Sequence, residues 1–178
     1  MANTLHFSAS TSVKNLFGRG LVTDQVAAVF ELVKNSYDAD ATEVEIIFSN
    51  LNTNNSSIII SDDGTGMDLH DIEHRWMVIG TDSKKNVLLS PIFRRPLNGD
   101  KGIGRFSVDR LGSYLHMESQ KRDSSQKYSV EFDWSLFDGA AKNIGEISIP
   151  YTRQKVTMLP MVCAWKFQDC GIIGMQTS

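Results

Sequence analysis

The stretch from Thr23 to Met67 constrains the fold more than any other part of the chain. Thr23 or Asp24 offers an N-cap, and Val26, Val29, Phe30, Val33 and Tyr37 follow at the i, i+3, i+4, i+7 spacing of an amphipathic helix. TEVEIIF alternates and then turns apolar, which reads as a strand. After the polar loop SNLNTNNS, a second strand, SIIIS, runs directly into the glycine turn DDGTGMD. Further along, SYLHMES, KYSVEFDWSLF and EISIP read as three more strands, while the pattern beyond Pro150 is indistinct. Helices early and antiparallel-looking strands late predict an α+β two-layer sandwich with a mixed, mostly antiparallel sheet and helices on one face.

The intervening segments are less regular. Leu5 to Ala9 reads as a short strand, Val13 to Phe17 as a short helix, and Asp68 to Met77 as a polar helical stretch. Residues 86–98 carry Pro91 and Pro96 and read as an irregular loop. The turn NGDKGIG then opens a helix from about Arg105 to Arg110, stopped at Gly112. With 178 residues, 41% of them hydrophobic, the chain is long enough for one core and short for two, so residues 1–178 are expected to form a single domain. No run of about 18 apolar residues predicts a membrane span. The N-terminus lacks the cationic and apolar segments of a signal peptide. Cys163 and Cys170 match no zinc spacing and read as reduced structural thiols, which together with the missing signal suggests the cytoplasm.

Three local patterns carry chemistry. Glu31, Asn35 and Asp38 are spaced i, i+4, i+7 and share one stripe of the first helix, about 100° round from the Phe30-Val33-Tyr37 face. The stripe also fits an ordinary solvated face, although an Asn in mid-helix is mildly unfavourable. In Asp62-Asp63-Gly64-Thr65-Gly66-Met67 a carboxylate at a strand end stands beside glycines that let a ligand approach, where a plain tight turn is the alternative. Gly99-Asp100-Lys101-Gly102-Ile103-Gly104 leads into a helix, an arrangement whose free N–H groups and dipole favour phosphate. It is neither the dinucleotide fingerprint nor a P-loop, since Arg105-Phe106 stands where Lys-Ser/Thr is required. The net charge of -3 and the pI near 5.8 argue against a general nucleic-acid binder. Between Lys84 and Arg110, however, basic residues outnumber acidic ones by five, which fits a small polyanion such as a nucleotide triphosphate or a solvated loop face.

Taken in order, ELVKNSYDADA, ISDDGTGM, IGTDSKK and GDKGIGRFS resemble the four motifs of the GHKL superfamily, which includes gyrase B, the ninety-kilodalton heat-shock chaperone, histidine kinases and MutL. The similarity runs from about residue 20 to residue 120 and implies the two-layer Bergerat sandwich. It assigns Glu31 as the general base, Asn35 as the one protein ligand to Mg2+, and Asp62 as acceptor for the adenine amine, with Gly64, Gly66 and Met67 shaping the base pocket and Asp38 a further nucleotide-binding residue. Thr81, Ser83 and Lys84 fall in a mobile lid. Gly99, Gly102, Ile103 and Gly104 bind the triphosphate through their backbone, with Lys101 and Arg105 adding charge.

Glu31 and the wording of ELVKNSYDA and IGTDSK place the resemblance nearest the ATP-hydrolysing chaperone, MutL and MORC-like branch. It therefore implies binding of Mg-ATP or ADP, slow hydrolysis, lid closure, an ATP-dependent homodimer and a further protein partner or domain. A non-hydrolysing regulatory module and a histidine-kinase-type phosphotransferase are the alternatives. His6, His70, His74 and His116 read as surface or structural. The family's late-strand Thr near adenine has no clear counterpart, with Gly171, Thr152 and Thr157 the nearest substitutes. No membrane or nucleic-acid partner is indicated, and the chain reads as an isolated, truncated or unusually compact member.

Overall fold

The computed structural model describes residues 3–9, 25–79, 89–98, 108–137, 144–157 and 163–168. In chain order the elements are β1 (Asn3–Leu5), β2 (Ser8–Ala9), α1 (Gln25–Asp38), β3 (Val44–Ser49), β4 (Ser57–Asp62), α2 (Leu69–Asp71), β5 (Val78–Ile79), β6 (Tyr114–Gln120), β7 (Gln126–Asp133), β8 (Ile149–Lys155) and β9 (Cys163–Gln168). Seven strands form one sheet in the order β1-β8-β7-β6-β9-β4-β3, every neighbouring pair antiparallel. The short β2 and β5 pair in parallel beside it. The predicted α+β class is what the structure shows, with the seven-stranded sheet antiparallel throughout and parallel pairing confined to β2 and β5.

One face of the sheet is apolar and carries the core. Ile58 and Ile60 of β4, Leu115 and Met117 of β6, Val130 and Phe132 of β7, and Trp165 and Phe167 of β9 alternate inward. Ala28 and Leu32 of α1 belong to the same cluster. Phe7, Trp76, Phe132 and Trp165 form its aromatic centre, with Trp76 4.9 Å from Phe132 and 5.6 Å from Trp165 between ring centroids. The other face is polar, with His116, Glu118, Lys166 and Glu131 exposed or half-buried.

Four expectations need correcting. The helix is present, but its buried stripe is Ala28-Leu32-Ser36, while Val26, Phe30 and Tyr37 are exposed. Small side chains at 28 and 36 suit close approach to the sheet, and the bulkier residues that suggested the core face point away. KYSVEFDWSLF is not one strand. Asp133 Oδ1 accepts from the Ser135 N–H and hydroxyl, turning the chain into a 3-10 turn over Trp134–Phe137. EISIP begins in a 3-10 turn at Ile144–Glu146, and its strand starts at Ile149 and runs on to Lys155. The sequence reading also missed β9, although it lies inside the sheet between β6 and β4.

Asp68 to Met77 is helical as expected. Asp68 caps α2 through a reciprocal box with Asp71, and the next turn widens, with Met77 N–H reaching Ile72 O at 2.8 Å. Residues 89–98 are the expected irregular loop. The expected Val13–Phe17 helix, the N-cap at Thr23 or Asp24 and the glycine turn at 99–104 lie outside the described residues, as does all but the end of the helix expected to follow it. Among the described residues no helix is long and apolar enough to cross a membrane.

Candidate functional site

The site is built where the C-terminal half of α1 meets the end of β4. Glu31, Asn35 and Asp38 share their stripe as expected: Glu31 and Asn35 are half-buried and Asp38 is buried. Glu31 pairs with Lys34 at 2.7 Å. The Asn35 amide, a neutral oxygen ligand on this stripe, has no hydrogen-bond partner among the described residues. Asp38 Oδ1 accepts the Asn98 N–H at 2.8 Å.

Asp62 and Asp63 are adjacent in sequence and opposite in environment, because consecutive strand residues point to opposite faces. Asp62 turns inward and is buried. Its Oδ2 accepts the Ser36 hydroxyl at 2.9 Å and its Oδ1 the Gly64 N–H at 3.0 Å. Burial raises its pKa above the usual carboxylate value, against these two hydrogen bonds. Asp63 instead turns out and staples β3, accepting the N–H groups of Thr42 at 2.7 Å and Glu43 at 2.9 Å as well as the Thr42 hydroxyl. These bonds, the Thr42 hydroxyl first, hold its pKa below the ordinary range.

The glycine turn is held from three sides. Thr65 N–H bonds Ala39 O at 2.7 Å, Arg122 N–H bonds Thr65 O at 2.9 Å, and Met67 N–H bonds the Ser119 hydroxyl oxygen at 2.8 Å. Gly66 has φ 61°, a left-handed conformation that glycine adopts without strain. At Gly64 a Cβ would stand 2.8 Å from Asp62 Oδ1 and 2.9 Å from Ala39 O, so only glycine leaves the carboxylate in place.

The structure adds three residues that the motifs did not name. Ser36 follows Asn35 directly and links the helix to Asp62. Ser119 and Cys163 are buried, and Cys163 stands opposite Asp62 in the β4–β9 register. Burial, then the charge of Asp62, raises the Cys163 thiol pKa, in keeping with a structural thiol. The strand beside Asp62 thus presents a cysteine. Thr152 is exposed on β8, with β7, β6 and β9 between it and β4, and Thr157 is also exposed. The sequence marked Cys163 only as a structural thiol and not as a neighbour of Asp62, because its strand had no clear pattern. Thr81, Ser83, Lys84, Gly99, Lys101, Gly102, Ile103, Gly104, Arg105, Cys170 and Gly171 lie outside the described residues.

Comparison with known proteins specifies the class of this α+β sandwich, in which an acidic and amide stripe on the first long helix is set against a buried strand-end carboxylate. Residues 23–158 match the model of the histidine kinase-, DNA gyrase B- and HSP90-like ATPases, and the chain belongs to that family. It is 32% identical over 114 residues to a putative type II restriction enzyme, HgiDII, of Herpetosiphon aurantiacus, covering 64% of this chain and 18% of that one. It is 28% identical over 143 residues to the DNA mismatch repair protein MutL of a Wolbachia species, covering 80% and 21%. Among solved structures it resembles the N-terminal domain of a DNA repair protein, at TM-score 0.52 and 23% identity, over 84% of this chain and 37% of that one. The ATPase region of Saccharomyces cerevisiae topoisomerase II shares the fold at TM-score 0.50 and 16% identity, over 80% and 37%. The chain thus spans about a fifth of the length of these curated relatives.

Proposed function

We propose that the domain binds Mg-ATP between α1 and the Asp62 turn and hydrolyses it slowly to ADP and phosphate. The observation that carries this reading is the Ser36–Asp62 hydrogen bond. It ties the helix bearing Glu31 and Asn35 to the carboxylate suited to an exocyclic amine, so base recognition and phosphate chemistry share one rigid unit. The donor set fits the cofactor: the neutral Asn35 amide suits Mg2+, which keeps its waters and takes phosphate ligands. Asn35 would hold the ion, which when bound neutralises charge on the phosphates. Glu31 orients a water and takes its proton as the water oxygen bonds the γ-phosphorus; the bond to the bridging oxygen breaks, and ADP leaves. Asp62 accepts the adenine amine, a charge-assisted bond worth about 1.5–3 kcal/mol.

Lid closure over the nucleotide through Thr81, Ser83 and Lys84, backbone binding of the triphosphate at Gly99–Gly104 with charge from Lys101 and Arg105, and nucleotide-dependent self-association complete the proposal. The relatives are named for mismatch repair, restriction and topoisomerase activity, which supports a role inside a larger DNA-processing protein. A binding module with little turnover is the second reading. It is favoured by the Glu31–Lys34 pair, which occupies the carboxylate that hydrolysis needs.

Calorimetric titration with ADP and magnesium tests binding, with saturation at one site expected and Asp62→Asn abolishing it. Glu31→Ala is then expected to retain binding and to lose about 10²–10⁴-fold in turnover. Turnover of Glu31→Ala at the parent rate would remove the general-base assignment. Absence of turnover in the parent would favour the binding module.

A further inference from the structure

We infer that Asp40, with Arg95, is a positioning device that anchors residues 90–98 to the end of α1 and so fixes where the chain leaves Asn98 for the glycine-rich segment 99–104. The inference rests on the nucleotide-binding reading above.

The anchor starts as a helix cap. Beyond Asp38, the Ala41 N–H bonds Ser36 O at 3.0 Å and the Asp40 N–H bonds Tyr37 O at 3.1 Å, the paired bonds of a helix end closed by a left-handed residue. That residue is Asp40, at φ 61°. Glycine is usual at such a position, because a Cβ is strained there. Here the chain keeps a carboxylate and buries it completely. A buried charge must be matched by donors, and this one is: it accepts the N–H groups of Ile92 at 2.7 Å and Phe93 at 3.1 Å and a bond from Ser90.

Arg95 closes the second side. Its Nη1 donates to Ala41 O at 2.6 Å, and its guanidinium lies 5.0 Å from the Tyr37 ring centroid and 4.7 Å from that of Phe93. Ser90 N–H bonds Arg95 O and Arg95 N–H bonds the Ser90 hydroxyl oxygen, both at 2.8 Å, so the loop is internally closed. At its far end the Asn98 N–H meets Asp38 Oδ1. Residues 90–98 are therefore bound to α1 at both ends. The chain leaves Asn98 for Gly99 beside Asp38, one helical turn from Asn35 on the stripe shared with Glu31. A simple cap needs none of this. A buried carboxylate in a strained conformation, aimed at the N–H groups of a distant loop, serves to place that loop.

On the nucleotide reading the device acts chiefly on the phosphate end of the ligand, because the loop it holds leads into residues 99–104, and that split separates positioning from general stabilisation. Asp40→Gly relieves the left-handed strain and removes the acceptor. Calorimetry with Mg-ADP and with adenosine, beside amide hydrogen exchange at Ile92, Phe93 and Asn98, reads both consequences. The expected result is faster exchange at the three amides, ADP affinity lower by about tenfold, as for loss of a hydrogen bond to a charged acceptor, and adenosine affinity within about twofold of the parent. Arg95→Met, which keeps length and loses the charge, is expected to give the same split in weaker form, and stands in if Asp40→Gly does not fold. Equal weakening of ADP and adenosine, or faster exchange with both affinities unchanged, would reduce the anchor to a purely structural contact. Exchange as slow as in the parent would show that the carboxylate holds nothing. Failure of the parent to bind either ligand would overturn the nucleotide reading and the inference resting on it, and the exchange data would still report whether the loop is anchored.

Discussion

Asp62 illustrates how a single residue carries opposed demands. Its inward direction and burial raise its pKa, so at neutral pH the ionised side chain costs the fold stability. That cost is present above the raised pKa and disappears as pH falls through it. Asp62→Asn is therefore expected to melt at the same temperature as the parent or higher at pH 7, with the gap closing as the pH is lowered towards 4, while ADP binding is lost. The replacement amide can still accept from Gly64, and the Ser36 hydroxyl has Leu32 O at 3.2 Å as a second acceptor. Scanning calorimetry at several pH values checks the sign; a lower melting point at pH 7 would mean that the carboxylate is a net stabiliser. Trp134 offers a second test at this scale. Its buried Nε1 has no hydrogen-bond partner among the described residues. An unsatisfied buried donor costs about 1–3 kcal/mol, so Trp134→Phe, which keeps the ring stacked on Phe132, is expected to be neutral or stabilising in urea unfolding.

At the scale of elements, close backbone approach decides what can change. A Cβ on Gly112 would stand 2.4 Å from Gln168 O, where the start of β6 passes the end of β9. Neither backbone can retreat without breaking the ladder, so Gly112→Ala is expected to lower stability by about 1–3 kcal/mol, the usual cost of overpacking, measured as a shift in the urea midpoint at constant slope. Gly64→Ala is expected to spare the ladder but displace Asp62, losing ADP affinity before stability. The same proximity explains what the sequence disclosed. The DDGTGM turn and the Glu31-Asn35-Asp38 stripe were legible because local spacing defines them. The buried face of α1 was misread because close packing at Ala28 and Ser36 is tertiary information, while Val26, Phe30 and Tyr37 are larger and more apolar. β9 was missed because CAWKFQ is brief and interrupted by polar Lys166; only its pairing with two distant strands makes it central. The juxtaposition of Asp62 with Cys163 depends on that pairing and was equally invisible.

For the whole molecule, acid is the informative perturbation. Asp40, Asp63, Asp68 and Glu118 all have pKa values below their ordinary ones, each despite some burial, through hydrogen bonds and neighbouring charge such as the Lys121 ammonium at Asp68 and that of Lys127 at Glu118. A depressed carboxylate contributes stability that is complete above its unfolded pKa, about 4, and is lost as pH falls through the folded value. Asp62 works in the opposite direction, and alone it does not offset four. Stability is thus expected to be flat from pH 7 to about 5 and to fall steeply below about 4, measured by urea midpoints across that range. A midpoint unchanged at pH 3 would mean that the carboxylate contacts add nothing net.

The position of β9 also bears on the order in which the molecule can be made. A ribosome releases β3 and β4 long before Cys163–Gln168, and β6, β7 and β8 also precede it, yet in the sheet β4 and β6 are joined through that strand. Until it emerges, the nascent chain holds two separate half-sheets whose facing edges carry unpaired N–H and C=O groups. The molecule therefore cannot close strand by strand during synthesis. The strand beside Asp62 follows the others, and a released chain cut just short of residue 163 would display two open edges for chaperones to shield.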